Sequence, residues 1–533
     1  MKQDAVIESK KSSNDQLAHY IIRSLVEAGV TTFMLCPGTR NAPIVTALKE
    51  YSDLEKIYHF EERSAAYFAL GRIRRDGKPV AIVTTSGSAS GELLPAVMEA
   101  FYTQIPIVLL TADRPRRFRG TCAPQSAEQV GLFGVYTSFS QDIENGELCD
   151  VSQWDKLGPA HLNVCFEDPI RPRTPDTVIS EHKMQKIYSK DAVDYVDNFF
   201  RSVKRPLAIV GTLPDNSHDA VRGFLKKLCI PVILEGVSGL REDESLEHLK
   251  IRRTDQIFRY ANESDYPIDG ILRLGSVPVN SLWRDLENLN GKVKVCSISE
   301  LPYSGLSWGD IVCVAIGKFL KEYTVNVKFS DKESKKWLRS DQEYVKKLGQ
   351  LILEEPFAEA SLVHKLSKSI PSGSMIYLGN SLPIREWDLA ADYANRGLNI
   401  KASRGINGID GQISTFFGLS EAGRGNWAIL GDLTTLYDMA GPWVLQHMKL
   451  QNIEANIVVI NNSGGQIFSK FFSDKIFMHP HDLHFKPLAE MWGLKYERYT
   501  EIDKALAIGN NKLIEIVPDD DASKRFQKQL ASI

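Results

Sequence analysis

Residues 429–438, ILGDLTTLYD, set an aspartate, Asp432, directly behind a short apolar run. Residues 456–468, NIVVINNSGGQIF, repeat the arrangement: a β-branched apolar run ends in Asn461, Asn462, Ser463, Gly464 and Gly465. The separation suits one strand–helix–strand unit, so the two runs read as parallel strands of one sheet. Ligands of open α/β sheets sit outside the carboxyl ends of the strands, where both polar clusters fall. The glycines let backbone approach a ligand closely. Asp432 offers a carboxylate, Asn462 an amide oxygen and Gly464 a main-chain carbonyl. Such hard oxygens suit a Mg²⁺-type ion that also carries phosphate oxygens. Taken singly, Asp432 would serve equally to cap the helix LTTLYDMAGPWVLQ, and the asparagines to make an ordinary turn. The pairing favours the cation.

Working outward, short apolar strands alternate with helical patterns almost throughout. NDQLAHYIIRSLVEAGV reads as a helix capped by Asn14 or Asp15 and followed by the strand TTFMLCPG. RSAAYFALGRIRRDG is helical and closed by Gly77; KPVAIVTTSGSAS is a strand and a glycine-serine turn; IPIVLLTADRP is a further strand. Continuous apolar strands with helical crossovers mean parallel sheets covered on both faces. A charged stretch at about 180–204 reads as a linker, with a second α/β block beginning at RPLAIVG and a third near residue 345. The expected architecture is three doubly wound parallel-sheet α/β domains, at 1–185, 200–340 and 345–533.

Composition narrows the class. The chain has 533 residues, 43% apolar and 25% charged, with 64 basic against 67 acidic residues and a net charge of −3. That balance argues against a nucleic-acid or membrane-surface partner. Seven cysteines lie scattered without a C-x-x-C pair, which suits reduced thiols in a cytoplasmic protein. The polar start MKQDAVIESKKSSND lacks the apolar core of a signal peptide, and no run reaches the roughly 18 apolar residues of a membrane span.

One further stretch carries chemistry. In HFEERSAAYFALG, Glu61 and Glu62 begin a helix that is otherwise small and apolar. A glutamate at a helix start is ordinarily solvated and favoured by the dipole. One enclosed among alanines can exchange a proton with a ring nitrogen.

Gly-Asp, Asn-Asn-Ser-Gly-Gly and the upstream Glu-Glu-Arg-Ser together resemble the thiamin-diphosphate enzymes. CPGTRNAPI, HFEERSAAYFALG, TTSGSAS, LLTADRP, GNSLPIRE, SRGINGIDGQISTFFG, GDLTTLYD and NNSGGQIFS resemble, in order, the 2-succinyl-5-enolpyruvyl-6-hydroxy-3-cyclohexene-1-carboxylate synthase family of menaquinone biosynthesis. HDLHFKPLAEMWGLKYER extends the likeness toward the C-terminus. The resemblance implies a pyrimidine-binding first domain, a central domain and a diphosphate-binding third domain. It implies a transferase that decarboxylates 2-oxoglutarate on thiamin diphosphate and adds the succinyl unit to isochorismate.

Residue by residue, Glu62 matches the glutamate that activates the cofactor through N1′ of its aminopyrimidine. Asp432, Asn462 and the Gly464 carbonyl match the ligands of the Mg²⁺ or Mn²⁺ that holds the diphosphate. Pro37, Gly38, Asn380, Ser381, Gly431, Leu433 and Gln466 match cofactor-binding positions. Ile409 matches the side chain that props the cofactor in its bent form, and Ile467 and Phe468 match apolar residues over the site. Ser381, Arg385 and Arg404 match donor-side positions; Thr39, Arg40, Arg114 and Gln125 match acceptor-side ones. Arginines suit both substrates, because the planar guanidinium fork fits carboxylate oxygens. The resemblance also implies a homodimer or homotetramer, with Glu62 meeting the cofactor across a subunit interface.

Three departures bear on the acceptor. The family's Asn-Gln pair is Pro124-Gln125 here, a basic pair of the central domain is replaced by Ser281 and Leu282, and Phe471 is bulkier than the usual leucine. Arg284 stands nearby as a replacement cation. The competing readings are a related thiamin-diphosphate carboligase or decarboxylase with another acceptor, and a catalytically dead homologue, against which Glu62, Asp432 and Asn462 argue. A nicotinamide enzyme is disfavoured because no strand leads into G-x-G-x-x-G with a ribose-binding acid beyond it.

Overall fold

The structure, a computed structural model, describes residues 13–102, 104–167, 185–289, 291–405, 407–450, 452–502 and 511–533. The polar start, residues 1–12, and positions 180–184 of the expected linker lie outside the described residues.

Three six-stranded sheets organise the chain, and every strand pairing in them is parallel. In the first sheet the strands are β1 Thr32–Leu35, β2 Glu55–Tyr58, β3 Val80–Thr84, β4 Ile107–Asp113, β5 Phe139–Ile143 and β6 Ala160–Cys165. They lie in the order β2-β1-β3-β4-β6-β5. The second sheet holds β7 Lys186–Ile187, β8 Pro206–Val210, β9 Val232–Leu234, β10 Gly270–Leu274, β11 Lys294–Ser299 and β12 Ile311–Cys313, in the order β7-β12-β11-β10-β8-β9. The third is built from β13 Met375–Leu378, β14 Asn399–Lys401, β15 Asn426–Gly431, β16 Ala455–Ile460, β17 Lys495–Tyr499 and β18 Lys512–Ile516. Its order, β14-β13-β15-β16-β18-β17, is that of the first sheet. The α/β architecture expected from the alternation of apolar runs and amphipathic helices is therefore present three times.

Central strands are buried along their whole length, as β3, β4 and β16 show. A parallel sheet covered on both faces requires this. Strand order reverses between β1 and β3 in the first sheet and between β13 and β15 in the third. Those switch points open crevices at the carboxyl ends of the strands. By compactness the chain forms two units, Met1–Ser180 with Ile467–Pro480, and Glu181–Gln466 with His481–Ile533.

Two local expectations are corrected. The charged stretch read as a linker contributes β7, paired to β12, and the helix Ser189–Ser202. Ala192, Val196, Phe199, Phe200 and Val203 recur at helical spacing among its charges and are buried in the second sheet's core. The first described helix spans Ser13–Glu27, so Asn14 and Asp15 lie inside it and neither is its cap. Asn14 instead donates to the Glu167 carbonyl (3.2 Å) and accepts from the Glu167 N–H (3.1 Å), which ties the helix to the end of β6's connection. Among the described residues no helix is long and apolar enough to cross a membrane.

Candidate active site

At the third sheet's switch point, β15 delivers Asp432 as the first residue of the helix Asp432–Tyr437. The residue is 2% exposed. Its Oδ1 accepts from the Leu433 N–H (2.7 Å) and its Oδ2 from the Gly464 N–H (2.8 Å). The second bond fastens the β16 turn to the end of β15. That turn is tight: Ser463 has φ +61° and Gly464 φ +134°, the latter a conformation that glycine adopts without strain. Beneath it, Asn461 donates to the Leu483 carbonyl (2.8 Å) and to Glu515 Oε1 (2.7 Å). Asn462 donates from Nδ2 to Glu359 Oε2 (2.9 Å), while its Oδ1 is buried and has no hydrogen-bond partner.

That orphaned oxygen, beside a buried carboxylate and the Gly464 carbonyl, fits a hard divalent cation. No three His, Cys, Asp or Glu side chains converge to hold an ion among the described residues. One carboxylate with two neutral oxygens instead suits an ion that completes its shell with phosphate and water. His481 lies alongside: its Nδ1 accepts from the Leu483 N–H (3.2 Å), and its Nε2 stands 3.2 Å from Asp432 Oδ2. Gln466 closes the turn, donating from its N–H to the Gly464 carbonyl (2.9 Å) and from Nε2 to the Asn462 carbonyl (3.2 Å).

The neighbouring strand end, after β13, presents Asn380, Ser381 and Arg385. Asn380 is fully hydrogen-bonded: Nδ2 donates to the Ser403 and Gly408 carbonyls, and Oδ1 accepts from Arg404 Nη1 (2.8 Å). The Gly408 contact braces the loop that carries Ile409, which is half-buried. Ser381 has φ +70°, strain that a non-glycine residue keeps only where its surroundings fix it. Its carbonyl accepts from Arg385 Nη1 (2.5 Å). Arg404 keeps a buried Nε without a partner. Two carboxylates from different sheets stand by: Glu235 after β9, and Asp388 on the helix Leu382–Ala390. Glu235 Oε1 accepts from the Val279 N–H (2.6 Å), and Asp388 Oδ1 accepts from the Gly236 N–H (2.6 Å). Burial and mutual repulsion push Glu235 up; burial also raises Asp388. Protein crowding and then Arg404 lower Arg385 to about 10, although its side chain remains accessible to solvent. A reachable cation enclosed by protein marks a crevice suited to a carboxylate.

In the first sheet, the two glutamates divide their work. Glu61 Oε1 accepts from the Arg63 N–H (3.2 Å), so it caps the helix Glu62–Asp76. Glu62 begins that helix and is 7% exposed, with Ala65, Ala66 and Ala69 buried behind it. The Cys36 thiol at the end of β1 is pushed well above its usual range, first by burial and then by the carboxylates of Glu62 and Glu61. Glu62 is thereby placed beside the end of β1. There Gly38 packs so tightly that a Cβ would lie 2.7 Å from Thr85 Cβ. Its N–H donates to Asn41 Oδ1 (2.8 Å), and the Pro37 carbonyl is 3.2 Å from His479 Nε2. Thr84, Thr85 and Ser86, at the end of β3, have buried hydroxyls without hydrogen-bond partners.

The acceptor-side set is uneven. Arg40 is buried and donates from Nη1 to the Phe166 carbonyl (3.0 Å), while Thr39 is half-buried. Arg114 donates from Nε to the Pro124 carbonyl (2.8 Å) and lies over the Phe118 ring, which fixes the turn bearing Gln125. Gln125 is exposed with φ +56°. Leu282 is fully buried in the second sheet's core and Ser281 is half-buried, so neither offers a cation. Arg284 lies close enough for its charge to help lower Arg385. Ile467 and Phe468 belong to the first compact unit, where Phe468 packs with Ala42, Val45 and Phe477.

Comparison with known proteins agrees with this chemistry. Residues 15–132 match the thiamine pyrophosphate enzyme N-terminal TPP-binding domain. The chain is 37% identical to the 2-succinyl-5-enolpyruvyl-6-hydroxy-3-cyclohexene-1-carboxylate synthase of Bdellovibrio bacteriovorus, over 97% of this chain and 98% of that one. It belongs to that synthase family. The synthase of Akkermansia muciniphila is 36% identical over 95% of this chain and 96% of its own, and that of Oceanobacillus iheyensis 30% over 90% of each. As a member of the synthase family the protein is a thiamin-diphosphate-dependent transferase, and the cation turn and strand-end crevices fit that cofactor.

Sequence reasoning missed Glu359, Glu235, Asp388, His481 and the three β3 hydroxyls. Only the hydroxyls carried a signal, the TTSGS run itself. Glu359, Glu235 and His481 reach matched residues from a distance along the chain that no spacing rule spans, whereas Asp388 lies one helical turn beyond Arg385.

Proposed function

We propose that the protein decarboxylates 2-oxoglutarate and joins the succinyl unit to isochorismate, as a carboligation of menaquinone biosynthesis. The carrying observation is the pairing, at one switch point, of an oxygen turn suited to a divalent ion with the crevice of Arg385 and Arg404. Bound thiamin diphosphate supplies the electron sink needed for loss of CO₂ from a 2-oxo acid. Asp432, Asn462 and the Gly464 carbonyl hold Mg²⁺ or Mn²⁺ against its diphosphate. Pro37, Gly38, Asn380, Ser381, Gly431, Leu433 and Gln466 line the cofactor site, with Ile409, Ile467 and Phe468 as its apolar walls. Glu62, enclosed and beside Cys36, exchanges the proton at N1′ of the aminopyrimidine.

Ser381, Arg385 and Arg404 receive the donor's carboxylates; the partnerless Arg404 Nε supports that role. Thr39, Arg40, Arg114 and Gln125 receive the acceptor. Arg284 supplies the cation that Ser281 and Leu282 lack. We assign the pyrimidine-binding, central and diphosphate-binding roles to 1–185, 200–340 and 345–533, with β7 and the helix after it joined to the central domain. Activity requires a homodimer or homotetramer in the cytoplasm, with Glu62 of one subunit serving the cofactor of another.

The buried Leu282 and the Pro124 substitution favour one second reading, a carboligase with the same donor and another acceptor. Mass spectrometry of a reaction with thiamin diphosphate, Mg²⁺, 2-oxoglutarate and isochorismate decides between them. A succinylated adduct establishes the synthase; CO₂ release without that adduct keeps the donor chemistry and sends the search to a different acceptor.

A further inference from the structure

We infer that Glu359 is a positioning residue for the cation site, locking the Asn462 amide so that its oxygen, and not its nitrogen, is offered to the ion. The inference rests on the reading of Asn462 as a metal ligand. Asn462 has no preference of its own between its two amide orientations, which place oxygen and nitrogen in nearly the same space. Glu359 removes the ambiguity. Glu359 Oε2 accepts from Asn462 Nδ2 at 2.9 Å, which commits the nitrogen end of the amide to this side. The flipped amide would set oxygen against oxygen. With Nδ2 committed, Oδ1 is the end left buried and partnerless.

Glu359 is itself well held. It is 6% exposed, begins the helix Glu359–Ser369, and its N–H donates to Ser523 Oγ (3.0 Å). Carboxylates are favoured at that end of a helix. Leu362, Val363, Ile460, Ile516 and Pro518 line the same narrow space, so water has little access to loosen the amide bond. Supporting partners of metal ligands commonly tune affinity in this way.

The test is an electron paramagnetic resonance titration of Mn²⁺ into the full-length protein with thiamin diphosphate present. Glu359→Leu should weaken Mn²⁺ by about 10- to 100-fold. Glu359→Gln keeps an oxygen acceptor and should stay within about fivefold of wild type. Asn462→Asp alone should bind poorly, because two carboxylates then face each other. Glu359→Gln with Asn462→Asp should recover affinity, because the glutamine amide donates to the new carboxylate. This pair tests the inference without an apolar replacement, should Glu359→Leu fail to fold. Equal losses for Glu359→Gln and Glu359→Leu would show that Glu359 acts by charge alone and overturn the inference. Unchanged affinity in Glu359→Leu would overturn it too. A wild-type protein that fails to bind Mn²⁺ would instead remove the cation-site reading on which it rests.

Discussion

The first and third sheets share one strand order, yet they support their strand ends with side chains of opposite polarity. In the first, Asn163 on β6 donates to Asp113 at the end of β4 (3.0 Å) and to Asp142 (2.8 Å), while its Oδ1 accepts from Gln129 (2.8 Å). In the third, Glu515 on β18 accepts from Asn461 after β16 (2.7 Å), from the Phe485 N–H (3.0 Å) and from the Tyr496 hydroxyl (2.6 Å). A neutral amide thus steadies an acidic strand end in one sheet, and an acid steadies an amide in the other. Duplicated topology fixes where a site lies. The polar residue on the adjoining strand decides what that site can be.

The sharpest way to break this comparison is to separate proton exchange from ion holding. Glu62→Gln should lower carboligation kcat by about 10²- to 10⁴-fold while Mn²⁺ affinity stays at the wild-type level. A loss of Mn²⁺ affinity in that variant would show that the two sheets do not divide the work.

An acid limb should come from the first sheet. His161 on β6 is 1% exposed, bonds Thr111 Oγ1 (2.8 Å), and is lowered by burial to about 4. Its folded pKa lies below the unfolded value, so the neutral ring stabilises the fold above about pH 6.5. That contribution is lost as pH falls from about 6.5 to about 4, where the loss reaches about 3 kcal/mol. Urea denaturation of wild type and His161→Leu at pH 7 and pH 4 should show the smaller pH effect in the variant; equal effects would refute it.

The donor crevice gives the next effect. Arg404→Lys removes the planar fork that bonds Asn380, and KM for 2-oxoglutarate should rise about 10- to 150-fold, the equivalent of about 1.5–3 kcal/mol. A change confined to KM for isochorismate would move Arg404 to the acceptor side. Smallest is Glu515→Gln, whose amide oxygen keeps two lone pairs for three donors; the change should cost about 1 kcal/mol in urea denaturation. A loss of several kcal/mol would mean that Glu515 does more than hold Asn461.

Much of this was legible in the sequence where apolar runs end in glycine-rich clusters, because strand ends and close backbone approach both leave that mark. Asp432 and Asn462 became candidates on those grounds, and Glu62 as an acid at the start of an alanine-rich helix. The helix Ser189–Ser202 was not, because Asp and Lys residues surround its apolar stripe and make the segment look like solvated chain. Asn14 resembled a cap by composition and position, yet its amide is engaged 153 residues away by the Glu167 backbone. Glu359 and Glu515 were invisible for the same reason: side-chain partnerships across sheets follow from packing, which local periodicity does not encode. Leu282 shows the converse: a departure from the family pattern visible in the sequence is a side chain buried in the second sheet's core.

The enclosed thiol beside Glu62 has a practical consequence. Burial and two neighbouring carboxylates keep Cys36 protonated, and a thiol in that state is a poor nucleophile. Alkylating reagents should therefore label the half-exposed Cys122, Cys229 and Cys313 of the native protein and spare Cys36. Modification of Cys36 would then time the opening of the first sheet, a built-in clock for local unfolding beside Glu62.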